Sequence, residues 1–92
     1  MDSILQDSKE CYVTHSINNL HKHHIYSGNG YRKISDQNGF WVWLRQDWHN
    51  GSDYGVHFNK QLDLKLKRIC QAKYEETHTR DEFMQLIGRN YL

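Results

Sequence analysis

The sequence predicts an α+β fold in which two strands form a hairpin and pack on one long helix, followed by a short C-terminal helix. Three observations lead there. Leu20–Tyr26, in a loosely alternating stretch, and Phe40–Leu44, rich in aromatic and β-branched residues, read as strands bordered by the turn segments Ser27-Gly28-Asn29-Gly30 and Asn38-Gly39. From His57 onward, Phe58, Leu62, Leu66 and Ile69 recur at three and four positions, the period of one helix face. Thr79-Arg80-Asp81-Glu82 then matches a capping box ahead of Phe83, Met84, Leu86 and Ile87, with Gly88 as the stop.

The elements can be justified in order. Residues 1–10 are polar and are expected to form a flexible N-terminal arm. Residues 11–92 are expected to form a single domain, since no linker, repeat or proline interrupts them. The first strand is expected over Leu20–Tyr26. About a dozen residues separate it from the second, a length that implies a purpose, and Tyr31–Gln37 has room for one helical turn. Trp41 and Trp43 share one strand face and are expected to pack on the Phe58/Leu62/Leu66 helix face.

Ninety-two residues form one small domain, and a chain this size buries roughly 60–65% of its unfolded surface. The apolar run Phe40–Leu44 falls far short of the ~20 residues of a membrane helix, so no membrane partner is expected. No basic n-region precedes a long apolar stretch, and Cys11 and Cys70 are too few for a disulfide scaffold. The expectation is reduced thiols in cytoplasm.

Net charge is +1, which does not point to nucleic acid. Its distribution is more informative: Lys60, Lys65, Lys67, Arg68 and Lys73 face one acid, Asp63, within the helical segment. The bland reading is a solvated helix face. The functional one is a phosphate-binding stripe, with Lys65 and Arg68 three apart on one side. Arg32 and Lys33, between the strands, are further phosphate candidates, and Tyr26, Tyr31 and Tyr54 are candidates to touch a nucleotide. Apolar surface left over from Phe83 to Ile87 would suit a homodimer.

Histidine is the outlier. Six of the seven, His15, His21, His23, His24, His49 and His57, fall between positions 15 and 57. On a strand His21 and His23 share a face and His24 takes the other. Adjacent His23 and His24 can therefore divide labour, one binding an ion and its neighbour acting as a general base on water. His49 and His57 follow the second strand and can close on the same cation. The structural alternative is a set of histidines hydrogen-bonded at a polar surface.

The ordered set Leu20-His21-Lys22-His23-His24-Ile25, a glycine-containing loop, a second strand, Trp48-His49-Asn50 and then His57 resembles the HNH nucleases of the ββα-metal class. In particular it looks like the small HNH-type proteins encoded by phages of Gram-positive bacteria, which carry a similar LHxHHI segment and the helix start seen here as Gly55-Val56-His57-Phe58-Asn59-Lys60. The match spans about residues 11–92. It implies a ββα-metal hairpin plus long helix, with His23, His49 and His57 as metal ligands and His24 as general base. His21 becomes a supporting contact, and either Asn38 or Asn50 fills the family's asparagine role.

The activity implied is metal-dependent DNA endonuclease or nickase chemistry in phage recombination or DNA processing, in the host cytoplasm, with DNA as partner. One divalent ion serves it. Mg²⁺ and Mn²⁺ fit the reaction, and three imidazoles also suit Zn²⁺ or Ni²⁺. Many relatives hold the hairpin with a zinc knuckle. Here only Cys11 remains, with Thr14, Arg45 and Trp48 at the other positions, so no structural zinc is expected. The missing knuckle keeps a second reading open, a catalytically lapsed HNH-fold module that binds nucleic acid or a host protein, such as an inhibitor of host defence.

Overall fold

Two strands, β1 (Leu20–His24) and β2 (Trp41–Arg45), pair antiparallel in the computed structural model, which describes residues 1–92. His21 lies opposite Leu44, His23 opposite Val42 and His24 opposite Trp41. One face of this two-stranded sheet therefore carries His21, His23, Val42 and Leu44, and the other Lys22, His24, Trp41 and Trp43. Four helices complete the α+β architecture: α1 (Tyr31–Asn38), α2 (Gln46–His49), α3 (Lys60–Tyr74) and α4 (Arg80–Ile87).

The core gathers on the His23/Val42 face. Val42 and Leu44 from β2 and Phe40 just before it are fully buried, with Leu66 and Cys70 from α3 and Phe83 from α4. Aromatic rings meet edge-on there, Tyr26 with Phe40 at 5.5 Å and Phe40 with Tyr74 at 5.3 Å, the geometry ring quadrupoles favour. Gln71 is buried among them with its amide satisfied: it donates to Glu75 and Asn90 and accepts from the Tyr91 N–H.

The predicted cap at Thr79 forms as a full capping box with Glu82, and Gly88 ends α4 in the left-handed region. The segment Tyr31–Asn38 makes a whole eight-residue helix where one turn was expected. α3 begins at Lys60, because the Asn59 side chain accepts from the Leu62 N–H and caps it there. His57 and Phe58 are thus left outside the helix, and Phe58 is 66% exposed.

Trp41 and Trp43 do not pack on α3. The register turns them to the outer face, edge to edge at 5.4 Å, with the Lys22 and Lys9 ammonium groups over their rings. Residues 1–10 lie along them rather than forming a loose arm: the Ile4 N–H donates to Gly39, the Ser3 hydroxyl to the Trp41 carbonyl, and the Trp41 indole N–H to the Met1 carbonyl. Ile4 and Leu5 of the same segment pack against the core cluster. Phe83 and Ile87 point inward and are buried, so they do not supply the apolar dimer surface expected of them. No helix is long and apolar enough to cross a membrane.

Candidate metal centre

β1 delivers His23 to the inner face, where the ring is 4% exposed. Its Nε2 is buried without a hydrogen-bond partner. His49 arrives as the last residue of α2, directly after β2. His57 is brought beside it by main-chain pairing: the Val56 N–H donates to the Trp48 carbonyl at 2.8 Å and the His57 N–H to the His49 carbonyl at 3.1 Å. Gly55 permits this approach, since a Cβ there would stand 2.8 Å from the Asp47 carbonyl oxygen and 2.9 Å from that of His49.

The three rings converge. His49 Nε2 and His57 Nε2 are 2.9 Å apart, and the ligand atoms of His23, His49 and His57 lie within 4.8 Å of one another. Imidazole nitrogens around a tetrahedral zinc stand about 3.3 Å apart, so this group can hold a metal ion with small ring adjustments. Burial, with the neighbouring histidines and Lys67, pushes the His23 pKa down to about 3. Burial, then His57 and His21, bring His49 down to about 4. Both are neutral at pH 7, the state in which imidazole donates a lone pair to a cation.

His21 sits on the same strand face as His23, with its Nδ1 3.1 Å from Nδ1 of His49. His24 points across the sheet. Its Nε2 lies 3.4 Å from Asp36 Oδ1 of α1, on the carboxylate that also takes the Lys22 ammonium. Burial lowers the His24 pKa, against the upward pull of Asp36. Both walls nevertheless border one cleft of about 230 Å³, lined by His23, His49 and His57 on one side and His24, Lys22 and Arg32 on the other, with Ser27 between.

The remaining expected site residues divide. Arg32 and Lys33 stand exposed in the first turn of α1 and line a largely basic recess with Lys22, His24, Gly30 and Asp36; Lys22, His24 and Arg32 also line the histidine cleft. Lys65 and Arg68 are exposed on α3 but line neither, and Arg68 instead donates to the Tyr91 carbonyl. Asn38 closes on the Ile34 carbonyl within its own helix, and Asn50 ends α2 through its backbone N–H to Gln46. Neither asparagine reaches the histidines.

Of the tyrosines, Tyr26 is a core residue whose hydroxyl donates to the Lys67 carbonyl, and Tyr54 stacks near Trp48 and donates to Asp47. Cys11 and Cys70 are both buried, and Cys11 accepts from the Thr14 N–H. Sequence reasoning overlooked Lys22 as a lining residue, although its parity with His24 on the strand was a signal for it. No protein-family profile, curated protein or solved structure matches this chain.

Proposed function

We propose that this chain is a metal-dependent DNA endonuclease or nickase with the ββα-metal arrangement of the HNH nucleases. The observation that carries the reading is the grouping of His23, whose Nε2 is buried and partnerless, with two further imidazoles. Leaving such an atom unsatisfied costs about 1–3 kcal/mol, which a bound cation would remove. The resemblance of the ordered histidine set, and the basic recess beside it, supply the substrate class.

The donor set is three imidazoles with no carboxylate, which favours Zn²⁺ or Ni²⁺ over Mg²⁺; Mn²⁺ remains compatible. His23, His49 and His57 would hold a divalent ion, which would supply positive charge beside the scissile phosphate and the leaving oxygen. His24, on the opposite wall, accepts the proton of the attacking water. Arg32 and Lys22 hold the non-bridging phosphate oxygens, and Asp36 keeps Lys22 and His24 together. A role in DNA processing, including phage recombination, accords with this chemistry.

One observation favours the second reading, a domain that binds nucleic acid or protein without cutting: His24 Nε2 is turned to Asp36 instead of toward the other histidines. A plasmid-nicking assay with Mg²⁺, Mn²⁺, Ni²⁺ and Zn²⁺, run beside His24→Ala and a chelator control, separates the two. Metal-dependent nicking lost in His24→Ala supports the nuclease. Binding of DNA with no nicking under any metal selects the non-cutting module.

A further inference from the structure

The recesses around the histidines adjoin one another through shared lining residues, as a groove of neighbouring pockets. Ser27 borders the histidine cleft, a second of about 240 Å³ walled by Tyr31, Arg89 and Tyr91, and a third of about 420 Å³ walled by Phe58, Lys60 and Lys67. The basic recess at the start of α1 adjoins the histidine cleft, with Lys22, His24 and Arg32 lining both. Six cations stand along this groove: Lys22, Arg32, Lys33, Lys60, Lys67 and Arg89. Its only carboxylates, Asp36 and Asp63, are each bonded to a lysine of the groove. The path is strongly cationic and passes directly over the three imidazoles.

Phe58 is the anomaly on this path. It follows His57, precedes the Asn59 cap, and is held by its N–H on the Gly55 carbonyl at 2.9 Å, yet its ring is 66% exposed. A scattered surface aromatic is ordinary. This one stands in the wall of a cationic groove, beside a candidate metal ligand, on a backbone fixed at both ends.

We infer that Phe58 is a stacking platform for an unpaired base and that the groove takes single-stranded DNA across the histidine group. Duplex DNA keeps both faces of each base covered by its neighbours, so it has nothing to lay on the ring. A single strand offers a free π-face of every base, while its phosphates track the lysines and arginines. This rests on the nuclease reading for the class of ligand, but binding can be measured without turnover.

The test is fluorescence anisotropy in EDTA with a labelled oligothymidylate, a hairpin duplex of matched length and an oligouridylate, on the full chain and its Phe58→Ala and Phe58→Trp variants. Circular dichroism should be unchanged, because the ring is exposed. The expected result is tighter binding of oligothymidylate than of duplex. Phe58→Ala should weaken oligothymidylate by about 5- to 150-fold and leave the duplex unaffected. Phe58→Trp should keep the affinity, with its fluorescence quenched by the bound strand. A duplex preference, a Phe58→Ala loss equal on both DNAs or absent from both, an unquenched Phe58→Trp, or tighter binding of oligouridylate would each overturn the inference. Absence of nicking alongside the expected binding would remove the proposed reaction and leave this site standing.

Discussion

His21 Nδ1 lies 3.1 Å from Nδ1 of His49, so the ring that offers Nε2 toward the metal position is gripped from behind by a second imidazole. For His49 to present a lone pair at Nε2 its proton must sit on Nδ1, and His21 is the acceptor that fixes this tautomer. His21→Ala should therefore weaken metal binding by about 10- to 100-fold without removing a ligand. Competition against a chromogenic chelator measures it, and an affinity equal to that of the unaltered chain would show that His21 does not orient the site.

His23→Leu tests the cost of the unsatisfied nitrogen. Replacing the ring by an apolar side chain should stabilise the metal-free chain by about 1–3 kcal/mol in urea titrations. The same change should erase the stabilisation that metal gives, about 2.7 kcal/mol at a hundred times the dissociation constant for the unaltered protein. Destabilisation in the absence of metal would mean that His23 already has a partner.

Acid should weaken the fold through the same residues. His23 and His49 stay neutral in the folded chain down to about 3 and about 4, against an ordinary value of 6.5 when unfolded. Between these limits the unfolded chain binds more protons. Stability should be level above pH 6.5 and fall as pH drops from there toward 3, with metal lost in the same direction. Urea midpoints taken across that range check it; a midpoint unmoved from neutral pH to 4 would refute the burial of neutral imidazole.

His24→Ala separates catalysis from metal binding. Loss of a general base lowers cleavage by about 10²- to 10⁴-fold. Metal titrations should be unchanged, because His24 faces Asp36 across the sheet from the other three. A parallel fall in metal affinity would make His24 a ligand.

Lys60 and Lys65 should behave differently although both are exposed on α3. Lys60 borders the groove and Lys65 does not. Removing Lys60 should flatten the slope of log affinity against log salt by about 0.7 on a single strand, and Lys65→Ala should leave it unaltered. Equal effects would return binding to a general property of the helix charge.

Much of this arrangement is legible in the residues. Strand parity puts His21 with His23 and sets His24 apart, and the cap at Thr79 with the stop at Gly88 delimits α4. Alternation, however, does not say which face of a strand is inner. Trp41 and Trp43 are the larger pair on β2, yet Phe40, Val42 and Leu44 form the core, because it is completed by Leu66, Cys70 and Phe83 from elsewhere in the chain. Helical periodicity likewise ran through Phe58, whereas the Asn59 side chain starts the helix one residue later and releases that ring to solvent. The pairing of Val56 and His57 with Trp48 and His49 leaves no local signature beyond Gly55.

The docked N-terminal segment has a consequence for how this protein meets copies of itself. A two-stranded sheet has two open sides, and a bare strand edge invites another chain to add on. Three groups on the outer side of β2 are taken up: the Trp41 carbonyl by Ser3, the Trp43 N–H by the Gln6 amide oxygen, and the Trp43 carbonyl by the Tyr12 N–H. Residues 3 to 12 thus act as a selvedge on the woven edge, with two side chains and one backbone N–H where a third strand would use its backbone throughout. Fraying of that border would bare the β2 edge to intermolecular β-association without opening the core.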